Sequence, residues 1–173
     1  MMKEIVVISG KGGAGKTSFC ACLAHVAGNA VLCDLDVDAP DLHIILDPAP
    51  SPAQPFVSGH TAGIRGGDCR HCGLCERLCA FEAVRPGPSI APLACEGCGV
   101  CVRLCPAQAI DFPEKTCGEW RISETRFGPF VHACLYPGEE NSGRIIDLLK
   151  QKSRELAAAS GKEFILYDGS PGI

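Results

Sequence analysis

The chain has 173 residues, of which 46% are hydrophobic and 21% charged, with a formal net charge of -4. No apolar stretch approaches the roughly 20 residues needed to cross a bilayer as a helix, which argues against a membrane role. The acidic balance and the scattering of lysines and arginines argue equally against a nucleic-acid or anionic-lipid partner.

The N-terminus opens with Ile5-Val6-Val7-Ile8, a short β-branched run that reads as a buried strand. It lacks the basic stretch and long apolar segment of a signal peptide, so a reducing, cytoplasmic setting is expected. Gly10-Lys11-Gly12-Gly13-Ala14-Gly15-Lys16-Thr17 follows directly and matches the phosphate-binding pattern G-x-x-x-x-G-K-[ST]. Glycines let successive backbone N–H groups turn inward around phosphates, Lys16 reaches the outer phosphates, and the Thr17 hydroxyl is suited to Mg2+. The Ala-rich stretch from Ser18 to Val26 reads as the helix whose N-terminus faces that anion. Gly10 through Ser18 are therefore the candidate nucleotide-binding residues. Lys11 is a second lysine that such a loop does not require; by itself it reads either as functional or as a solvated loop charge.

Ala30 to Asp41 reads as a buried strand opening into an acidic loop containing Asp34, Asp36, Asp38 and Asp41, and Pro-rich residues 48–55 read as a connection leaving the core. Two copies of one cysteine spacing come next: Cys69-x2-Cys72-x2-Cys75-x3-Cys79 and Cys95-x2-Cys98-x2-Cys101-x3-Cys105, the second followed by Pro106. This is the ligand pattern of bacterial two-cluster ferredoxins, in which the last cysteine of each run serves the other run's cluster. Cys69, Cys72, Cys75 and Cys105 are expected to hold one [4Fe-4S] cluster, and Cys95, Cys98, Cys101 and Cys79 the other. A pair of zinc sites is the competing reading, although zinc modules usually set two Cys-x2-Cys pairs a dozen or more residues apart. His71, inside the first run, reads either as an exposed loop residue or as a hydrogen-bonding tuner of cluster potential.

Beyond the cysteines, Trp120–Thr125 and Phe130–Leu135 flank Gly128-Pro129 as a hairpin. A helix is expected from Asn141-Ser142 to Gly161, with Ile145, Ile146, Leu148, Leu149, Leu156 and Ala159 on its apolar face. A last strand from Phe164 ends in Asp168-Gly169-Ser170-Pro171-Gly172. Of the remaining cysteines, Cys20 and Cys33 read as small buried hydrophobes, whereas Cys22, Cys117 and Cys134 have no clear assignment.

The string Lys11-Gly12-Gly13-Ala14-Gly15-Lys16-Thr17 resembles the deviant Walker A loop of the MinD, ParA, Mrp and nitrogenase iron protein group. The Ala30–Asp41 segment is similar to that group's switch I, and Phe164–Gly172 to its Walker B strand and switch II. With the cysteine runs between the two switches, the chain looks like a MinD-superfamily ATPase carrying an inserted ferredoxin domain. The resemblance implies an α/β fold: a P-loop NTPase three-layer unit with a mainly parallel sheet, interrupted by a small α+β bacterial-type 2[4Fe-4S] ferredoxin insert. The parts are 1–62 (phosphate loop and switch I), 63–113 (insert) and 114–173 (ending at switch II). It further implies ATP and Mg2+ as ligands, Lys11 and Lys16 on the nucleotide, Asp36 orienting the attacking water, Asp168 binding Mg2+ through water, and glycines beyond Asp168 sensing the terminal phosphate. A homodimer is implied too, with Lys11 crossing to the partner's nucleotide. Ala80 stands where such a ferredoxin half usually has proline, and the family continues past switch II where this chain stops at Ile173, so the sequence reads as truncated.

The expectation from all of this is an ATPase switch coupling nucleotide state to electron transfer through two [4Fe-4S] clusters, acting on a redox partner protein. The alternative is an Mrp-like carrier or scaffold that hands a cluster to an apo iron–sulfur acceptor. A positioning module of the ParA or MinD kind is a third reading, but it calls for a basic surface or amphipathic tail.

Overall fold

A computed structural model of the chain describes residues 2–139 and 142–171. Two compact units are formed, one from residues 1–56 with 117–173 and one from residues 57–116.

A six-stranded sheet forms the core of the first unit, with residues 57–60 of one strand and 114–116 of another belonging to the second. The sheet's strands are β1 (Lys3–Ser9), β2 (Ala30–Asp34), β3 (Gln54–His60), β8 (Glu114–Thr125), β9 (Gly128–Leu135) and β10 (Phe164–Pro171), in the order β1-β10-β2-β9-β8-β3. β1, β10, β2 and β9 run parallel, and β9 turns back antiparallel on β8 as the expected hairpin. Helices α1 (Lys16–Ala27) and α2 (Leu42–Leu46) lie on one face and α5 (Ser142–Ser160) on the other.

Strand alternation explains the layering. Leu32, Phe130 and Leu166 point to α1 and α2 and meet Cys20, Ala21, Ala24, Leu42 and Leu46. Val31, Cys33, Val131, Ile165 and Tyr167 point the other way and meet Ile145, Leu149 and Ala157 of α5. All five residues of β2 are buried, as befits a strand covered on both faces. The mainly parallel α/β sheet anticipated from the sequence is thus present.

Several expectations need correction. Among the described residues β1 is an edge strand with β10 as its one neighbour, and Ile5, Val6 and Ile8 are 36%, 50% and 56% exposed. Apolar runs look alike at the centre and edge of a sheet, because exposure depends on partners elsewhere in the chain. The Pro-rich connection ends earlier than expected, since β3 already begins at Gln54. On α5 the buried line is Ile145, Leu149, Ser153 and Ala157, at intervals of four, while Ala159 is exposed. Ser153 is tolerated there because its hydroxyl donates to the Leu149 carbonyl at 2.8 Å. Asn141, Gly172 and Ile173, which also figure in the sequence-based expectations, lie outside the described residues.

The cysteine-rich unit is a duplication visible in the backbone itself. It holds two short antiparallel pairs, β4 (Gly63–Ile64) with β7 (Ile110–Asp111) and β5 (Val84–Arg85) with β6 (Ser89–Ile90), and helices α3 (Leu74–Leu78) and α4 (Val100–Leu104). The left-handed residues His71, Gly73 and Glu82 recur as Gly97, Gly99 and Gln108, each pair 26 positions apart (97 − 71, 99 − 73, 108 − 82). The cysteines repeat at the same interval, Cys69 to Cys95 through Cys79 to Cys105 (95 − 69, 105 − 79). Arg65 fastens the start of this unit to its end. Its guanidinium donates to Asp68 at 2.7 Å, to Asp111, and to the Gln108 carbonyl at 2.6 Å.

Candidate functional site

The loop after β1 turns into α1 at Gly15, whose φ of 83° lies in the left-handed region that favours glycine. No side chain caps the helix there. The first N–H groups of a twelve-residue helix therefore face outward with the positive end of its dipole behind them. They open on a cavity of about 390 Å³ lined by Ser9, Gly12, Gly13, Ala14, Gly15, Lys16, Thr17, Ser18, Asp36, Ala39 and Asp41. Most of the candidate nucleotide-binding residues are thereby gathered, together with Asp36. Gly10 and Lys11 are exposed and stand outside that lining. Asp38 is exposed as well.

Behind the loop, Lys16 Nζ donates to Asp168 Oδ1 at 2.6 Å, with the two side chains 8% and 1% exposed. Asp168 belongs to β10, beside Val7 of β1 and Asp34 of β2, so the parallel register delivers both aspartates to the end of the sheet where the loop begins. Asp34, also buried, shapes the neighbouring acidic segment. One of its carboxylate oxygens accepts from the Asp36 N–H at 3.0 Å and the other from the Leu42 N–H at 3.2 Å, so a single side chain pins both ends of the 36–42 loop. Burial pushes the Asp34 carboxyl up to about 7 despite those two donors, and the nearby Asp168 adds to the rise. Burial also raises the Asp36 carboxyl above its ordinary value; the Ala39 N–H and Lys16 oppose this. The role of Asp34 as a clamp on the loop was not distinguished from its neighbours by sequence, where one aspartate in an acidic run resembles another.

In the second unit the cysteines line two cavities. One, of about 150 Å³, is lined by Cys69, Cys72, Cys75 and Cys105; the other, tighter at about 20 Å³, by Cys79, Cys95, Cys98 and Cys101. Each cavity takes three cysteines from one run and the last cysteine of the other. Among the described residues no three His, Cys, Asp or Glu side chains converge on a single metal ion. Backbone donors already point at sulfur: the His71 N–H reaches Cys69 Sγ at 3.4 Å, Ala83 N–H reaches Cys79 Sγ at 3.3 Å, and Ala109 N–H reaches Cys105 Sγ at 3.4 Å. The last two are related by the 26-residue repeat. Burial on its own would raise the Cys79 thiol, but N–H groups of Ala83, Phe81, Val84 and Glu82 outweigh it and hold the thiol below its usual range. At His71 it is the main chain that approaches sulfur, in a left-handed turn, while the residue is exposed. Four soft donors around each cavity, with N–H groups aimed at the sulfurs, suit an iron–sulfur cluster, and that donor set carries the fit more than the differing volumes do.

The other cysteines divide by burial. Burial pushes the Cys20 and Cys33 thiols up to about 12, so both are uncharged packing groups. Cys117 is fully buried, whereas Cys22 and Cys134 are exposed.

Residues 88–111 match the Fer4 family, a 4Fe-4S binding domain, over the segment that contains the second cysteine run. That match supports a 4Fe-4S cluster in this chain. Over its whole length the chain is also 34% identical to an uncharacterized protein of Methanocaldococcus jannaschii, and it spans 61% of that protein. No helix among the described residues is long and apolar enough to cross a membrane.

Proposed function

We propose that the chain is an ATP-binding and ATP-hydrolysing switch whose nucleotide state governs electron transfer through two [4Fe-4S] clusters. The observation that carries this reading is the presence, on one chain, of a cleft lined by the glycine-rich loop at an uncapped helix N-terminus and two cavities each lined by four cysteines.

The phosphates of ATP lie against the N–H groups of the Gly12–Thr17 loop and the start of α1, a site made by backbone rather than by side-chain charge. Lys16 exchanges its Asp168 partner for the outer phosphates, which frees the Asp168 carboxylate to face the cation shell beside the Thr17 hydroxyl. Mg2+ supplies neutralisation of charge on the transferring phosphoryl group. Asp36, whose burial makes it a better proton acceptor than an exposed aspartate, orients the attacking water from the cleft wall. Lys11, exposed and outside the lining of its own cleft, serves the nucleotide of a second copy in a homodimer.

Clusters of this type supply one-electron transfer, and the chain's own contribution is to hold and tune them. Each cavity draws its fourth cysteine from the far run, so neither cluster site forms without the other run being in place. The backbone N–H groups at Cys69, Cys79 and Cys105 stabilise negative charge on sulfur and favour the reduced state. The insert is spliced between the loop pinned by Asp34 and the strand that carries Asp168. A γ-phosphate that moves either segment acts on the insert only through the sheet, from β10 by way of β2 and β9 to β8, the strand on which the chain returns from the insert. The electrons pass to a redox partner protein.

Exposure of Cys72 and Cys98 favours a second reading, an ATP-dependent cluster carrier that serves an apo iron–sulfur acceptor. Anaerobic reconstitution followed by iron and sulfide analysis and Mg-ATP binding tests the assignment. About eight irons per chain and saturable nucleotide binding are expected; two tightly held zinc ions per chain, or no nucleotide binding, would sink it. Loss of cluster to an apo-ferredoxin on adding ATP would select the carrier.

A further inference from the structure

The 26-residue repeat of the cysteine-rich unit gives each wall residue of one cysteine cavity a counterpart in the other. Much of the wall is preserved: Ile64 answers to Ile90, Ala109 to Ala83 and Ile110 to Val84 (90 − 64, 109 − 83, 110 − 84). Main-chain N–H groups serve both sites, at Cys69 and Cys105 of the first and at Cys79 of the second, so they do not set the sites apart. Where the repeat is broken, charge and access to water change.

Arg70, directly after the first cysteine of its run, lines the first cavity, and its counterpart Glu96 (96 − 70) lines the second. Arg85 also lines the first; its counterpart Asp111 (111 − 85) stands outside the second lining and is paired with Arg65. Glu76 is the acidic residue of the first lining. Among the described residues, and with histidine counted as neutral, two arginines against one glutamate leave the first lining one net positive charge, whereas Glu96 gives the second one negative charge.

The walls differ in the same sense. Phe81 lines the second cavity where the first has Ala107 (107 − 81), and Phe112 lines it where the repeat sets Pro86 (112 − 86). The Phe112 ring lies over Gly99, where a Cβ would meet it at 3.3 Å, and the His60 ring stacks on it with centroids 4.7 Å apart and planes at 13°. The second cavity is the tighter of the two, at about 20 Å³ against about 150 Å³.

Reduction of a [4Fe-4S] cluster adds one negative charge, which nearby positive charge and water favour and which nearby negative charge and apolar walls oppose. We infer that the two clusters hold electrons unequally: the cluster of Cys69, Cys72, Cys75 and Cys105 is reduced first, through Arg70 and Arg85, and the cluster of Cys79, Cys95, Cys98 and Cys101 last, through Glu96 and the two phenylalanine rings. In a chain that has taken up one electron, that electron rests in the first site, which sets the direction of transfer between the two. The four charged side chains are exposed and water weakens their effect, so the difference is roughly tenfold in affinity for the electron, about 59 mV, rather than many orders of magnitude. The inference rests on the reading of both cavities as cluster sites.

The test is an anaerobic reductive titration of the reconstituted full chain without nucleotide, followed by EPR. Chains holding one cluster each remove the repulsion between clusters: Cys79→Ser with Cys98→Ser keeps the first site, and Cys72→Ser with Cys105→Ser keeps the second. The first site is expected to bind its electron roughly tenfold more tightly, a potential about 59 mV higher. Arg70→Glu is expected to weaken electron binding several-fold at the first site and Glu96→Arg to strengthen it several-fold at the second, each leaving the other site nearly unmoved. Should the serine pairs fail to hold a cluster, the two charge reversals in the otherwise unaltered chain stand in, with Arg70→Glu lowering the higher reduction step and Glu96→Arg raising the lower one. Equal potentials, the opposite order, or charge reversals that move both steps alike would overturn the inference while both cluster sites stand. A parent chain that reconstitutes with fewer than about eight irons would overturn the cluster reading with it.

Discussion

Lys16 and Asp168, 152 positions apart in sequence, meet at 2.6 Å as a buried ion pair that joins the phosphate loop to the last described strand. Removing one partner leaves the other charged without compensation, which for buried pairs costs about 3–5 kcal/mol. Lys16→Met is therefore expected to lower the stability of the nucleotide-free chain by that order while abolishing ATP binding. Lys16→Met combined with Asp168→Leu should recover much of the stability and none of the binding. Anaerobic urea unfolding of the four chains measures this; equal stability of parent and Lys16→Met would show that the pair is not a structural link.

Stability should depend on pH through two groups that act in opposite senses. Asp34 is raised from 3.8 to about 7 in the folded chain, so its contribution is complete below about pH 4 and lost as pH rises to about 7. His132 is lowered by burial from 6.5 to about 4, so its contribution is lost on acidification and complete above about pH 6.5. The two slopes oppose each other between pH 4 and 6.5. Asp34→Asn should unmask a stability that rises across that window, and His132→Gln one that falls. Unfolding midpoints from about pH 4 to 7 that keep the parent's profile in both variants would refute the assignment.

The crossed cysteine sets make a prediction that separates them from two independent runs. Cys105→Ser paired with Cys72→Ser removes two ligands of the same cavity and should leave about four irons per chain. Cys105→Ser paired with Cys98→Ser touches both cavities and should leave neither cluster intact. Iron analysis of the two double variants decides, because sites confined to single runs would reverse the pattern.

The edge of β1 that no described strand covers is expected to promote self-association of the nucleotide-free chain, since an apolar edge of this kind invites strand pairing. Val6→Lys places a charge on a half-exposed edge position without entering the core. Sedimentation analysis should show the variant shifted toward monomer. Parent and variant sedimenting alike at every concentration would count against an adhesive edge.

Features encoded in contiguous residues are legible in the amino-acid sequence alone. The glycine-rich loop, the hairpin turning at Gly128, the helix stopped at Gly161 and the cysteine repeat each depend on local backbone demands or on fixed ligand spacing. What the sequence hides depends on contacts between distant segments. Val6 reads like a core residue until the sheet order makes it an edge, and Ser153 reads as polar surface until its hydroxyl is seen bonded within its own helix. The Asp34 clamp joins residues 34, 36 and 42, where no periodicity or motif links the partners.

Coupling between the nucleotide cleft and the clusters is open to anaerobic redox titration with EPR detection, comparing the reconstituted chain with and without Mg-ATP and using Lys16→Ala as the control. ATP is expected to change at least one cluster potential of the parent chain by roughly 60 mV, the one-electron equivalent of a tenfold change in affinity for the electron, and Lys16→Ala is expected not to respond. Identical potentials and spectra with and without bound nucleotide would contradict a nucleotide-governed electron-transfer switch.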